Sequence, residues 1–316
     1  MMKETMKLTP DMFQPAEIDD SAKNAIARPS IGFWKDVWRR FYRNVGAMVG
    51  LVLLSIILVL TFVGPSMGKT DYQAQNLSVQ DQEPTFQNMI SGDDYRFGTD
   101  NLGRDLWTRV WYGTKVSLMI ALLAAILEIV FGVTIGVISG YFGGMVDNIL
   151  QRVIEVLYGI PNLIVVILFL IIFDPGIVPI ALALALTNWL PTARIVRAQV
   201  LKLKSQEYVL AARTLGSGHI RTMTKHLLPN IVSIVIIAVM FAIPSAIFYE
   251  AFLSFIGLGL RPPEASLGVI INDGAQNLQI FPHELLIPSV IIGIMMLSFN
   301  LIGDGLRDAL DPRMRK

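Results

Sequence analysis

The residue types that most often carry chemistry are sparse in this sequence. It contains no cysteine, and its three histidines have no metal-ligand spacing. Thiolate chemistry, disulfides and cysteine-based zinc or iron–sulfur sites are therefore excluded. The sequence also contains no GxxxxGK[ST] or HExxH segment. We therefore expect no catalytic, cofactor or metal site on this chain, and no hydrolysis of ATP by it.

One carboxylate stands out because of its position. Glu128 lies within a long apolar segment, where inserting a charged residue costs about 2.5–3.5 kcal/mol. Its side chain should therefore face a cavity or a partner, either as part of a substrate pathway or in a buried hydrogen bond. The same two alternatives apply to Asn162, Thr187, Asn188 and Asn300, which lie in or beside other apolar segments.

Three glycines recur at every fourth position, at Gly132, Gly136 and Gly140. Residues four apart share one face of a helix, so the three form a strip without side chains. Such strips let another helix approach closely within a membrane. We predict that this strip is a helix-packing surface, within the subunit or against a partner.

Most of the chain requires lipid as its solvent. Its 316 residues are 53% hydrophobic and 16% charged, whereas soluble domains carry about 25% charged residues. The apolar residues lie in blocks long enough to cross a membrane as helices, and they lack the alternation of a membrane barrel. The sequence therefore predicts an all-α, multi-pass protein of the cell membrane. A net charge of +1 gives no overall field for nucleic acid, and we expect none to bind.

Six transmembrane helices are predicted. They are placed at residues 45–63, 116–138, 150–173, 177–196, 231–250 and 285–302. If the amino terminus is cytoplasmic, 20 of the 26 Lys and Arg residues fall on the cytoplasmic side. The positive-inside rule then places both termini in the cytoplasm.

The segments outside the spans complete the predicted layout. Residues 1–30 are expected to be a flexible cytoplasmic segment. Residues 31–44 are expected to be an amphipathic helix at the membrane interface or, with equal weight, a simple aromatic and basic anchor. Residues 64–115 are expected to form an extracytoplasmic cap, and residues 304–316 a cytoplasmic tail.

The core of five spans, residues 116–303, contains a long cytoplasmic loop at 202–230. A loop of this length is usually functional or disordered, and its periodic apolar content argues against disorder. Residues 207–215 suit a short helix, and Gly216 can end it because glycine readily takes the left-handed conformation. We therefore predict a short helix that projects from the membrane.

The composition of this short helix suits docking. Ala211 and Ala212 each carry a single methyl group, so another surface can approach the backbone closely. Glu207 and Arg213 can orient such a contact by charge pairing. Taken alone, the Ala-Ala-X3-Gly pattern is explained equally well as an ordinary helix end.

This loop resembles the EAA loop of membrane subunits of binding-protein-dependent ATP-binding-cassette (ABC) importers. In that family the loop forms a coupling helix, seated in a groove of the ATPase subunit. The residues that the resemblance assigns to the coupling helix are Glu207, Ala211, Ala212, Arg213 and Gly216.

Four other segments extend the resemblance along the chain, in order. Residues 96–118, RFGTDNLGRDLWTRVWYGTKVSL, look like the segment before the second span in the C-type membrane subunit of oligopeptide and dipeptide permeases. Residues 140–161, 250–268 and 299–313 are similar to later signatures of that family. Together the matches place the chain with these permeases.

The resemblance implies the type I ABC importer permease fold and a subunit that translocates oligopeptides or dipeptides. Its implied partners are a second homologous permease subunit, two ABC ATPase subunits that hold ATP and Mg²⁺, an extracytoplasmic peptide-binding protein, and membrane lipid. The same likeness also covers importers of nickel and other small solutes.

Two other classes of protein are less well supported. Ion-coupled secondary transporters tend to have internal repeats and a midplane ion site. This sequence shows no repeat between its halves and only Glu128 as a mid-span carboxylate. A membrane-embedded enzyme would require a catalytic constellation, which the sequence does not show.

Overall fold

The computed structural model describes residues 32–85, 87, 90 and 95–311. This part of the chain is mostly helical and has no strand beyond an isolated bridge between Thr99 and Asp105. The helices are α1 (Phe33–Arg43), α2 (Val45–Val63), α3 (Leu106–Phe142), α4 (Gly144–Tyr158), α5 (Asn162–Ile172), α6 (Ile177–Leu203), α7 (Glu207–Thr214), α8 (His219–Phe255), α9 (Leu267–Gln276) and α10 (Pro282–Leu310). Within α8, Thr222–Leu227 is a π-helical segment.

Five of these helices, α2, α3, α6, α8 and α10, are long and apolar enough to cross a membrane. The predicted span at 150–173 is not one continuous helix. Two helices, α4 and α5, occupy that region and meet at an angle of 82°. Counted as one bent span, the pair gives six crossings.

Pro161 accounts for the break between α4 and α5. A proline has no backbone N–H for the helical ladder, and it disfavours helical conformation in the residue before it. The last turn of α4 closes with the Gly159 N–H bonded to the Glu155 carbonyl at 3.1 Å. Pro161 is extended, with ψ at 122°, and its carbonyl accepts the Ile164 N–H at 3.0 Å to start α5.

Several helices continue past the predicted spans. The α3 helix begins at Leu106 instead of residue 116, so the predicted boundary between cap and core lies inside it. Asp105 fixes this start, because its carboxylate accepts the Trp107 N–H at 3.0 Å. The α6 and α10 helices extend to Leu203 and Leu310. Hydropathy locates the apolar part of a helix, whereas hydrogen bonding continues the helix beyond the hydrocarbon.

The described residues between α2 and α3 form a cap at one end of the bundle, which we call the cap side. Four charged side chains hold the cap to α3 and α9. Arg104 Nε lies 2.6 Å from Asp100 Oδ2, and Arg104 Nη2 lies 3.2 Å from Asp273 Oδ2. Arg109 lies 3.4 and 3.5 Å from the same two carboxylates. Burial raises the pKa of Asp273, against the opposing effect of the two guanidinium groups.

The opposite end of the bundle carries α1, α7 and the end of α10, and we call it the α7 side. The α1 helix lies within the predicted segment 31–44, and it packs on α10 through the buried side chains of Val37 and Phe41. The predicted flexible segment 1–30 and the last residues of the predicted tail, 312–316, lie outside the described residues.

The first span, α2, packs mainly against the last one, α10. The contact is close at Gly50, where a Cβ atom would lie 2.8 Å from the Ser298 carbonyl oxygen. At its start, Asn44 accepts the Ala47 N–H at 3.1 Å and donates to Asp308 at 3.3 Å. Phe62, by contrast, is 71% exposed. This pattern places α2 at the periphery of the bundle, with one face toward lipid.

Candidate functional site

A cleft of about 770 Å³ opens among α3, α6, α8 and the bend between α4 and α5. The three residues predicted to line a pathway, Glu128, Asn162 and Asn188, all line this cleft. The Asn162 amide donates to the Asn188 carbonyl oxygen at 2.9 Å, and the Thr187 hydroxyl donates to Asn162. Asn300 instead borders a separate cavity next to α8. The fold therefore joins three polar residues that lie on different helices.

Glu128 both faces the cleft and accepts a hydrogen bond. The Thr192 hydroxyl donates to its Oε1 atom at 2.7 Å. Much of the remaining wall is apolar and includes Ile237 and Phe241, while Arg307 also borders the cleft. Glu128 therefore both lines a cavity and takes part in a hydrogen bond between helices. Its role on a substrate pathway stays a prediction.

The glycine strip on α3 lies against α6. A Cβ atom on Gly132 would lie 2.8 Å from Thr192, and one on Gly140 would lie 2.9 Å from Val200. At Gly136 it would lie 2.6 Å from the carbonyl oxygen of Ala193. The two backbones are therefore so close that side chains at these positions would not fit.

An ion pair joins α4 to α6 where the glycine strip ends. Arg197 binds Asp147 with two parallel hydrogen bonds of 2.6 Å each, and the Ser139 hydroxyl also donates to Asp147. Nearby, Lys204 donates to the Gly140 carbonyl at 2.8 Å. Bidentate guanidinium–carboxylate pairs are among the stronger polar contacts in proteins. This pair fixes the first turns of α4 to the C-terminal part of α6.

The predicted short helix is present as α7. Its C-terminal end is a Schellman motif, with the Gly216 N–H bonded to the Arg213 carbonyl and the Ser217 N–H to the Ala212 carbonyl, both at 3.0 Å. Gly216 has the φ of +86° that this motif requires. Glu207, like Arg213 and Gly216, is exposed.

The two alanines of α7 differ in exposure. Ala211 is exposed and Ala212 is half-buried. On the opposite face, Val209 is fully buried. It belongs to an apolar cluster whose other members are Val137, Tyr141, Val196, Val200, Leu227 and Ile231. These members lie on α3, α6 and α8, so Val209 anchors α7 in a cluster that three spanning helices share.

Comparison with known proteins identifies the family. Residues 132–316 match the binding-protein-dependent transport system inner membrane components, and residues 32–85 match the N-terminal TM domain of oligopeptide transport permease C. The chain is 42% identical to the oligopeptide transport system permease protein OppC of Bacillus subtilis (strain 168), over 97% of this chain and 98% of that protein. This chain belongs to that permease family.

A second relative and a solved structure agree with the assignment. The permease is 43% identical to the dipeptide transport system permease protein DppC of Bacillus subtilis (strain 168), over 93% of this chain and 90% of that protein. A structure of the MetNI methionine ABC transporter matches 64% of this chain and 96% of its own with a TM-score of 0.51 and 19% identity, which shows the fold alone. The predicted family, the type I ABC importer permease fold and the cytoplasmic-membrane location are confirmed.

Sequence reasoning missed two features of this permease. The α9 helix was not predicted, because it is short and carries Asn272 and Asp273 among its apolar residues. The ion pair of Asp147 and Arg197 was also missed. Of the two residues, only Asp147 could have been noticed in the sequence. It follows the glycine pair at 143–144 and lies at the start of an amphipathic segment.

The Gly136→Ala variant is expected to destabilise the permease by about 2 kcal/mol, because the added methyl group would overpack the α3–α6 contact. The matched control is Gly293→Ala in α10, where nothing lies within 4 Å of the added atom. That variant should be as stable as wild type or up to about 1 kcal/mol more stable, because alanine favours the helix more than glycine does. Thermal unfolding of the two purified variants in detergent compares them directly, and equal melting temperatures would contradict close packing at Gly136.

Proposed function

We propose that this permease carries dipeptides or oligopeptides across the cytoplasmic membrane, and that ATP hydrolysis on separate subunits drives it through α7. One observation carries the proposal: α7 has an exposed outer face at Ala211 and a buried anchor at Val209. Because the anchor belongs to an apolar cluster shared by α3, α6 and α8, we expect a displacement of α7 to be passed to these spans. The two relatives, an oligopeptide permease protein and a dipeptide permease protein, support the substrate class.

In this proposal the driving reaction takes place on other chains. The sequence has no GxxxxGK[ST] segment, so ATP and Mg²⁺ would be held by two ABC ATPase subunits that contact α7. The chain itself would be non-catalytic and would carry no cofactor. A second homologous permease subunit would complete the channel, and an extracytoplasmic peptide-binding protein would deliver the peptide. Nucleic acid has no part in the proposal.

The proposed orientation puts the α7 side in the cytoplasm. Both chain termini then face the cytoplasm and the cap faces outward. The placement of Lys and Arg supports this orientation, since most of them precede α2 or lie around α7. The ATPase subunits would then be on the side of the membrane that supplies ATP.

The cleft supplies a chemically suitable pathway. A peptide carries backbone donors and acceptors that are costly to strip of water without replacement hydrogen bonds. Glu128, Asn162 and Asn188 offer carboxylate and amide groups along an otherwise apolar wall. We propose that these three residues contact the peptide as it passes.

Proteoliposomes test this function. The permease would be reconstituted with its partner subunits, and entry of a labelled dipeptide and a labelled pentapeptide would be measured with and without ATP. We expect ATP-dependent uptake that disappears when this chain is omitted. Uptake of a nickel chelate in place of either peptide would contradict the substrate class. Peptide uptake without the ATPase subunits would contradict the proposed drive.

A further inference from the structure

Two exposed stripes of different chemistry run side by side along α1. The aromatic stripe contains Trp34, Trp38 and Tyr42, whose exposures are 59%, 63% and 64%. The basic stripe contains Lys35, Arg39 and Arg43, which are also exposed. Within each stripe the residues are four apart, so they lie one above another on the helix. Lys35 lies three positions before Trp38, and Arg39 three positions before Tyr42, and residues three apart are neighbours on a helix, which makes the two stripes adjacent.

The opposite face of α1 holds the helix in place. Val37 and Phe41 are only 7% and 4% exposed, and Phe41 reaches the closely packed region around Gly305 of α10. The helix is therefore fixed to the bundle by its apolar face. As a result, both stripes point away from the protein.

The chain also fixes the depth of α1 in the membrane. Only Asn44 separates α1 from α2, and consecutive Cα atoms are about 3.8 Å apart. The α2 helix begins with Val45, which is 77% exposed, and its 19 residues include no charged side chain. Since α2 starts at the edge of the hydrocarbon, α1 must lie in the interfacial layer. Exposed tryptophan and tyrosine side chains favour that layer.

The charges of the basic stripe are not compensated within the described part of the chain. Asp36 pairs with Arg40, with Nη2 and Oδ2 2.8 Å apart. No carboxylate among the described residues pairs with the basic stripe. A groove of about 540 Å³ runs between the two stripes, bordered by the basic stripe together with Trp38 and Tyr42. The groove thus has one cationic wall and one aromatic wall.

We propose that this groove binds the phosphate headgroup of an anionic phospholipid, with the acyl chains of the lipid along the aromatic stripe. The cationic wall complements the phosphate, and the aromatic wall suits the boundary between headgroup and hydrocarbon. Each Lys or Arg close to an anionic membrane surface strengthens binding about fivefold. The site is independent of the transported substrate, so its test does not depend on peptide uptake.

Native mass spectrometry of the purified full-length permease measures this binding. The probes are phosphatidylglycerol and phosphatidylcholine with the same acyl chains, added in equal steps. Wild type should bind its first phosphatidylglycerol at least about tenfold more tightly than its first phosphatidylcholine. The triple variant K35Q/R39Q/R43Q should bind that phosphatidylglycerol about 100-fold more weakly, because three charges are removed.

The R40Q variant is the matched control, because Arg40 lies on the same helix but already pairs with Asp36. It should keep the preference for phosphatidylglycerol. Equal affinity of wild type for both lipids would overturn the proposal, as would equal losses in R40Q and the triple variant. Displacement of the lipid by inorganic phosphate or by a polyglutamate peptide at the same concentration would also overturn it, since the occupant would then be a free anion or an acidic protein segment. A melting temperature equal to that of wild type verifies that the triple variant is folded.

Discussion

The Ala211→Arg variant is expected to lose ATP-driven peptide uptake by at least about tenfold, equivalent to about 1.4 kcal/mol of lost contact. Ala211 is exposed on the outer face of α7, and its single methyl group leaves the backbone accessible. A long charged side chain there would hold the ATPase subunit away from the helix. Because the side chain points away from the Val209 cluster, the fold of the permease should be unaffected.

Two measurements test this prediction. Uptake and ATPase activity of the reconstituted complex should be followed for Ala211→Arg and for the matched control Ala211→Ser, which keeps a small side chain. We expect the serine variant to transport normally and the arginine variant to hydrolyse ATP without transport, or to fail to bind the ATPase. Normal transport by Ala211→Arg in an intact complex would show that α7 is not the coupling contact.

The second large effect is expected from Asp147→Ala. This change leaves the Arg197 guanidinium, which is 29% exposed, without its two 2.6 Å hydrogen bonds. Removing one partner of a largely buried pair costs about 3 kcal/mol, because the other charge remains without compensation. The measurement is the free energy of unfolding in detergent, from titration with a denaturing detergent or from thermal melts.

A double variant separates loss of the pair from loss of packing. Adding Arg197→Met to Asp147→Ala removes the uncompensated charge and should recover most of the lost stability. Arg152→Gln on α4 is the matched control. Its ion pair with Glu155 is exposed, and exposed pairs contribute about 0–1 kcal/mol. If the double variant were as unstable as Asp147→Ala alone, the ion pair would not be the cause.

Hydropathy predicts the spanning helices well because a membrane requires about 20 apolar residues for each crossing. The strip of Gly132, Gly136 and Gly140 was also visible in the sequence, because its members are evenly spaced on one helix. The break at Pro161 was not predicted from hydropathy, since the apolar composition continues through it. A proline favours a bend in a helix, but the size of the bend depends on how the neighbouring helices pack.

Contacts between distant parts of the chain could not be predicted from the sequence. Glu128, Asn162 and Asn188 were singled out because polar groups are rare in apolar segments. Their arrangement around one cleft depends on the packing of different helices, which a single sequence does not encode locally. The same reason hides the pairing of Asp147 with Arg197, residues that are 50 positions apart.

The docking of α2 on α10 has a consequence for how the protein is made. The hydrogen bond from Asn44 to Asp308 joins residues 264 positions apart, so α2 has its main neighbour in α10, which is synthesised much later. Contacts of such high sequence separation form late. During synthesis, α1 and α2 are therefore in the bilayer before α10 is available to pack against them. Chains truncated before α10 should leave the amino-terminal helices undocked and open to degradation.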